Sequence, residues 1–337
     1  MYLSIIIPFY NSQKKLNSIF NTLSLLDCTD LEVIFVDDGS TDKTYDKLVS
    51  FRNSHVKANI TIFRQDNKGP GGARNTGLKN AKGDYVWFVD SDDDITKEAI
   101  NYIKLKSIDN YDVINFNYLR KGIVHSGIDL EANSYTDEAQ VRKIFLEGFG
   151  PLWSNVYKRE MLIKNNIYYP EYCYYEDNPL AFIYPFFVKS LLKSDIVAYK
   201  YIEDNESIVR TKPNLRTLDR LYTAEYGLRQ GLEHTINESE VDSLKEKFIK
   251  LYLINSVRIY LTKKPTKQWL TAWRIMKSYR MKAEKLSIEY DIPRILEISD
   301  FDVKYKYFFY FHWLASHTLL SDQDKYFERI RKKAWNM

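Results

Sequence analysis

The sequence predicts an α/β chain: a mostly parallel, Rossmann-like sheet flanked by helices, followed by a helical C-terminal region. Three observations carry this expectation. Short apolar, β-branched runs alternate with helical spacings from Leu3 to Phe116, and strict β-α alternation builds a parallel sheet with right-handed crossovers. Three of the strand ends carry unusual polar or aromatic residues, at the place where such sheets bind ligands. From Pro213 onward apolar residues recur at helical spacing. The expected parts are residues 1–212 and 213–337, with no repeat, low-complexity tract or Gly/Ser linker between them.

The first strand is Leu3-Ser4-Ile5-Ile6-Ile7, stopped by Pro8, and Phe9-Tyr10-Asn11 sit on the loop beyond it. Leu16, Ile19, Phe20, Leu23 and Leu26 then fall on one helix face. Leu31 to Val36 is the second strand, ending in Asp37-Asp38-Gly39-Ser40. Thr41 or Asp42 caps the next helix, with Tyr45, Leu48 and Val49 inward. Ile60 to Phe63 is the third strand. A Gly-rich loop, Asn67 to Gly72, leads into a helix whose Ala73, Gly77 and Ala81 form a small-residue stripe suited to close packing on a sheet. Tyr85 to Val89 is the fourth strand, followed at once by Asp90-Ser91-Asp92-Asp93-Asp94. A helix from Thr96 to about Ile108 and a strand from Val113 to Phe116 complete the series, and Ile196 to Tyr201 reads as an edge strand.

Composition narrows the function. The 337 residues are 45% hydrophobic and 28% charged, which is globular. A net charge of +4, with Lys and Arg spread among acids, does not describe a nucleic-acid binder. Cys28 and Cys173 lack metal or redox spacing and read as reduced, buried cytosolic thiols, and the five His form no ligand pattern. Met1-Tyr2-Leu3-Ser4 enters a strand without a basic n-region, so no signal peptide is expected. No apolar run reaches ~18 residues, so no membrane-spanning helix is expected either.

Four carboxylates at 90, 92, 93 and 94 repel and need cations or hydrogen-bond donors to stay ionised together. Hard oxygen ligands at a strand end suit Mg²⁺ or Mn²⁺ carrying a diphosphate. The strand-end residues are neither a dinucleotide fingerprint nor a P-loop. An aromatic and a carboxylate on adjacent strand ends suit a nucleobase: Tyr10 stacking on it, Asp38 accepting an imide N–H, which favours uracil. Core packing for Tyr10 and a turn before Gly39 for Asp38 are the plain alternatives.

Taken together, Ile5-Ile6-Ile7-Pro8-Phe9-Tyr10-Asn11, Val36-Asp37-Asp38-Gly39-Ser40-Thr41-Asp42, Asn67-x-Gly69-x-x-Gly72-Ala73-Arg74-Asn75-x-Gly77 and Gly83-Asp84-Tyr85-x-x-Phe88-Val89-Asp90-Ser91-Asp92-Asp93 resemble family 2 of the glycosyltransferases. The resemblance covers the first third of the chain. It implies the GT-A fold, inversion of anomeric configuration and a nucleotide-sugar donor. It further implies a donor-nucleotide set of Pro8, Tyr10, Asp38, Arg74, Asp90 and Ser91, with Asp92 as the metal-contacting carboxylate for Mn²⁺ or Mg²⁺. Asp93 and Asp94 are ranked lower, as candidates to cap the Thr96 helix.

Inverting transfer also needs a base on the acceptor hydroxyl. Glu176-Asp177-Asn178-Pro179 resembles the family's Glu-Asp motif, which makes Asp177 the base and Glu176 the residue that orients it or the acceptor. Pro179 fits the first helical position and Asn178 the cap, and Pro185 should kink or end that helix. The bland alternative is that both acids complement the helix dipole. Trp153 and Lys158 are acceptor-site candidates, by sugar stacking and phosphate contact, against core packing and simple exposure. Arg210 lies in a segment that in relatives closes over the donor diphosphate, against a solvated loop arginine.

The expected activity is therefore metal-dependent, inverting transfer from a UDP-sugar to a glycan or lipid-linked acceptor of capsule, teichoic acid or lipopolysaccharide. The setting is cytoplasmic, with possible contact at the inner face of the plasma membrane. Basic and aromatic residues toward the end, Arg329, Arg331, Lys332, Lys333 and Trp335, suit an anionic membrane surface, and a lid or homo-oligomer built from the C-terminal helices is the alternative. A sugar nucleotidyltransferase would want a Gly-rich basic loop where Pro8 to Asn11 stand, and a non-catalytic nucleotide-sugar-binding assembly subunit would not need the paired acids.

Overall fold

A computed structural model describes residues 2–26, 30–55, 59–105, 110–148, 150–202, 215–262, 266–288 and 323–337. Cys28, Arg210, His312 and His317 lie outside them. The chain divides into two compact units, Met1–Ser207 and Ile208–Met337.

In the first unit β1 (Leu3–Phe9), β2 (Leu31–Asp37), β3 (Ile60–Arg64) and β4 (Tyr85–Phe88) are parallel, in the order β3-β2-β1-β4. Helices α1 (Asn17–Ser24), α2 (Thr44–Ser54) and α3 (Gly69–Asn80) make the crossovers. Beyond β4 the sheet runs on through β9 (Asn155–Lys158), β6 (Val113–Arg120) and β10 (Leu191–Tyr201). β9 is antiparallel to both neighbours, so the sheet is mixed, and β6 and β10 keep the direction of β4. The short strands β5 (Asp94–Ile95), β7 (Ile123–His125) and β8 (Asn133–Tyr135) add to β10, β6 and β10 respectively. β10 is therefore an interior strand, not the edge its sequence suggests.

Both faces of the sheet are covered, as continuous apolar strands require. Leu3, Ile5, Ile7 and Phe9 point to one core with Ile19 and Leu23 of α1, Leu48 of α2, and Ala99 and Ile103 of α4 (Lys97–Ile103). Ile6 points to the other, with Ala73 and Leu78 of α3, Val141 and Phe145 of α5 (Glu138–Glu147), Leu162 of α6 (Arg159–Lys164) and Leu180 of α7 (Leu180–Ile183). The period-2 alternation along β1 divides the cores.

Local chemistry corrects several element ends. α2 begins at Thr44 after a Lys43 that makes no cap bond; Asp42 instead accepts from Thr44 N at 2.9 Å and Gln13 N at 3.2 Å. Its buried residues are Thr44, Leu48 and Phe51, while Tyr45 and Val49 are half-buried. α4 is capped by Thr96 itself, whose Oγ1 accepts from Ala99 N at 3.4 Å, not by Asp93 or Asp94. α7 is four residues long, has no side-chain cap, and gives way to a 3₁₀ turn over Tyr184–Phe186 that contains Pro185.

In the second unit α8 (Asp219–Leu232) is followed by α9 (Glu238–Phe248), a π-helical stretch Ile249–Asn255, α10 (Ser256–Thr262), α11 (Thr266–Lys285) and α12 (Asp324–Trp335). α12 docks on α8 through a fully buried Asp219, which accepts the Trp335 indole N–H at 2.8 Å. Among the described residues no helix is long and apolar enough to cross a membrane.

Candidate active site

Parallel strands leave their C-terminal ends on one side, and register brings three of those ends together: Phe9 lies opposite Asp37, and Ile6 opposite Phe88. The loops are then bonded to one another. Asp38 N donates to Phe9 O at 2.8 Å, Asn11 N to Ser40 Oγ at 3.0 Å and Thr41 N to Asn11 Oδ1 at 2.9 Å. Ser12 Oγ lies 3.3 Å from Ser91 Oγ, which joins the first loop to the acidic one. Asn11 takes φ +48°, a left-handed conformation Asn tolerates better than most residues.

Asp38 is buried. It accepts from Gln65 Nε2 at 2.7 Å and from Lys68 N at 3.0 Å, and burial pushes its carboxyl above the usual range against those bonds. Tyr10 is 44% exposed, so its ring is on the surface and not in the core. Pro8 is half-buried within β1, opposite Val36.

Arg74, on α3, ties the nucleotide-side loop to the Glu-Asp loop. Its Nη2 donates to Asp90 Oδ1 at 2.6 Å and its Nη1 to Glu176 Oε1, with the guanidinium 5.7 Å from the Tyr169 ring. Burial disfavours this cation, but Glu176 and then Asp90 hold it charged. Burial raises Glu176 to about 7; Arg74 opposes the shift and neighbouring Asp177 adds to it. Asp177, half-buried, thus sits within electrostatic reach of both.

The loop carrying these acids is fastened to α3 by backbone as well. Asn75 Nδ2 donates to Tyr169 O and Asn75 Oδ1 accepts from Tyr169 N, both at 2.9 Å, and Tyr172 N donates to Lys68 O at 2.5 Å. A Cβ on Gly71 would strike the Pro170 carbonyl and lie 3.2 Å from Glu176 Cβ, so the approach requires glycine there. Tyr172 and Tyr175 adopt φ +54° and +60°, strained conformations on either side of the turn into Glu176.

The acidic loop divides its carboxylates. Asp90 is bonded to Arg74. Asp93 is buried, accepts from Tyr199 Oη at 2.7 Å and Ile202 N at 2.8 Å, and is pushed up to about 8 by burial and then by Asp90 and Asp92. Asp94 accepts from Ile95 N at 3.0 Å and enters β5. Asp92 is 36% exposed with Lys15 Nζ 3.6 Å away; burial and Asp90 raise it while Lys15 lowers it. Among the described residues no group of three or more Asp, Glu, His or Cys side chains forms a metal cage. A single available carboxylate does fit a Mg²⁺- or Mn²⁺-type ion whose other ligands are diphosphate oxygens and water.

Two sequence candidates sit elsewhere or differently. Trp153 is half-buried, its ring stacked on Tyr199 (4.3 Å, 17°) and meeting Tyr118 edge-on at 4.7 Å. Lys158 pairs with Tyr85, the first residue of β4, and antiparallel β9 therefore puts it at the end of the sheet away from Asp90. The structure does not bring Lys158 to the site. Cys173 is a buried thiol, its Sγ 3.4 Å from Pro170 O. Gln65, Lys15 and Tyr199 carry no local sequence signal for these contacts, whereas Asn75 stands inside the Asn67–Gly77 motif.

The family model described as glycosyl transferase family 2 matches residues 4–162. That stretch, just under half of the chain, is similar to a family 2 glycosyltransferase domain. It is 32% identical over 175 residues to the poly(ribitol-phosphate) beta-N-acetylglucosaminyltransferase TarS of Staphylococcus aureus, an alignment covering 51% of this chain and 30% of that one. The chain thus spans less than a third of that relative. It is 26% identical to the cholesterol galactosyltransferase of Borreliella burgdorferi, across 99% of this chain and 92% of the relative. The structure of S. aureus TarS 1–349 in complex with UDP-GlcNAc superposes with a TM-score of 0.67 at 23% identity, covering 100% of this chain and 93% of that one. At that identity the likeness shows the fold alone, a mixed, largely parallel sheet between helices.

Proposed function

We propose that the protein transfers a sugar from a UDP-sugar to a hydroxyl of a cell-surface glycan or lipid-linked acceptor, with inversion at the anomeric carbon. The observation that carries this reading is the Arg74 guanidinium bonded to Asp90 and Glu176 at once. It fixes a donor-side acid and the acid next to Asp177 relative to each other. In this reading Tyr10 stacks on the base and Asp38 accepts its imide N–H. Asp177 takes the proton of the acceptor hydroxyl as the acceptor oxygen bonds to C1 and the C1–O bond to the diphosphate breaks, its electron pair leaving with UDP. Glu176, bonded to Arg74, orients this loop. Asp92 is the residue that would hold a divalent ion, which when bound offsets charge on the diphosphate.

Relatives named for poly(ribitol-phosphate) and for cholesterol support an acceptor at the cell envelope. They also make UDP-GlcNAc and UDP-galactose the first donors to try. The sugar nucleotidyltransferase reading is disfavoured because Pro8-Phe9-Tyr10-Asn11 stand where that chemistry wants a glycine-rich basic loop, and Asn11 is bonded to Ser40 and Thr41 at the neighbouring strand end.

Calorimetric titration with UDP, in Mn²⁺ and again in EDTA, tests the site, with GDP and CDP as controls. UDP, and neither GDP nor CDP, should bind much more tightly in Mn²⁺ than in EDTA, and Asp92→Ala should lose that metal-supported gain. Equal UDP binding by Asp92→Ala and the parent chain would remove Asp92 from the metal role. Preference for GDP or CDP would overturn the uracil assignment.

A further inference from the structure

We propose that Tyr199 is the positioning residue of the acidic loop, its hydroxyl setting the geometry in which Asp92 meets a divalent cation; this rests on the donor-site reading above. The loop leaves β4 with Val89 N bonded to Ile6 O at 3.0 Å, and Asp93 N reaches back to Asp90 O at 3.3 Å. Residues 90–93 are thus a tight turn with Ser91 and Asp92 at its apex. One phenol closes it. Tyr199 Oη accepts from Asp90 N at 3.1 Å and donates to Asp93 Oδ2 at 2.7 Å, while the other Asp93 oxygen takes Ile202 N at 2.8 Å. The turn is clamped at its first amide and its last carboxylate by one hydroxyl.

That hydroxyl has little freedom to move. Tyr199 is fully buried, paired in the sheet with Ile95 and Tyr118, and its ring lies against the Trp153 indole. Trp153 is in turn stacked at 5.7 Å on Tyr201. The clamp matters because three close carboxylates tend to splay. Arg74 answers Asp90, Lys15 stands near Asp92, and Tyr199 with Ile202 N answers Asp93. Groups that orient a metal ligand without touching the metal commonly tune affinity by about 10–100-fold. The Trp153 candidate also finds a place here, as the buttress of this tyrosine.

Tyr199→Phe removes the hydroxyl and keeps the ring on Trp153. The Mn²⁺ concentration giving half-maximal UDP binding should rise on the order of 10–100-fold. Metal-free uridine binding, read by saturation-transfer NMR, should stay within about twofold, a bound a merely structural defect would break. Asp93→Ala removes the other partner of the same bond and should shift the metal requirement alike. Tyr201→Phe, the same change one ring further out, should not. An unchanged metal requirement in folded Tyr199→Phe or Asp93→Ala overturns the proposal, as does a parallel loss of uridine and metal-dependent UDP binding. Failure of the parent chain to bind UDP with metal overturns the donor-site reading itself, a failure recognisable because it precedes any substitution.

Discussion

Asp177→Asn should retain UDP binding and lose sugar transfer by roughly 10²–10⁴-fold, the range expected when a positioned general base is removed. The amide keeps the shape of the side chain but cannot take a proton. The surrounding loop should survive the change, because its attachment runs through other groups: Glu176 to Arg74, Asn75 to the Tyr169 backbone, and Tyr172 N to Lys68 O. Loss of kcat with KM for the donor nearly constant is the pattern to look for, since the carboxylate acts on the acceptor in the transition state. The nearby alternative is Glu176. It is buried and its Oε1 is already taken by the Arg74 guanidinium, which leaves it less accessible to an incoming hydroxyl than half-buried Asp177. Normal transfer by Asp177→Asn would remove it from the base role.

Arg74→Ala should be strongly destabilising to the first unit. It leaves the buried Glu176 carboxylate uncompensated and frees Asp90, and breaking a buried pair from one side costs about 3–5 kcal/mol. For a domain of this size that corresponds to a fall of roughly 6–20 °C in melting temperature. Arg74→Lys should recover only part of it, because an ammonium cannot span two carboxylates as the guanidinium fork does. Combining Arg74→Ala with Glu176→Gln should recover more stability than Lys does, without recovering transfer. A melt of Arg74→Ala within about 2 °C of the parent would show that these bonds carry no weight.

The βα units from β1 to β4 were legible because each strand is a continuous apolar run and each crossover has its own helical spacing. β9 was not. Asn155-Val156-Tyr157-Lys158 is four residues long, and its antiparallel place between β4 and β6 depends on pairing with residues some forty to seventy positions away. That one hidden strand direction is why Lys158, a reasonable phosphate ligand on paper, stands at the wrong end of the sheet. β10 read as an edge because its neighbours β5 and β8 are two and three residues long.

In the site, the acids themselves were legible and their partners were not. Nothing local says that Arg74 reaches an acid 102 positions later, or that Gln65 serves Asp38. The run Asp90 to Asp94 showed that carboxylates were crowded but not how they were shared. Asp93, read as a helix cap, is occupied by a tyrosine from a distant strand, and Thr96 does the capping.

The most direct test of the central claim is release of UDP from UDP-GlcNAc and UDP-galactose by the purified chain with Mn²⁺ and a poly(ribitol-phosphate) or sterol acceptor, with Asp177→Asn beside it. The expected result is acceptor-dependent UDP release from one donor, a glycosylated acceptor of inverted anomeric configuration, and a loss of at least about 100-fold in Asp177→Asn. Acceptor-dependent release that proceeds equally in Asp177→Asn, or transfer with retained configuration, would contradict it.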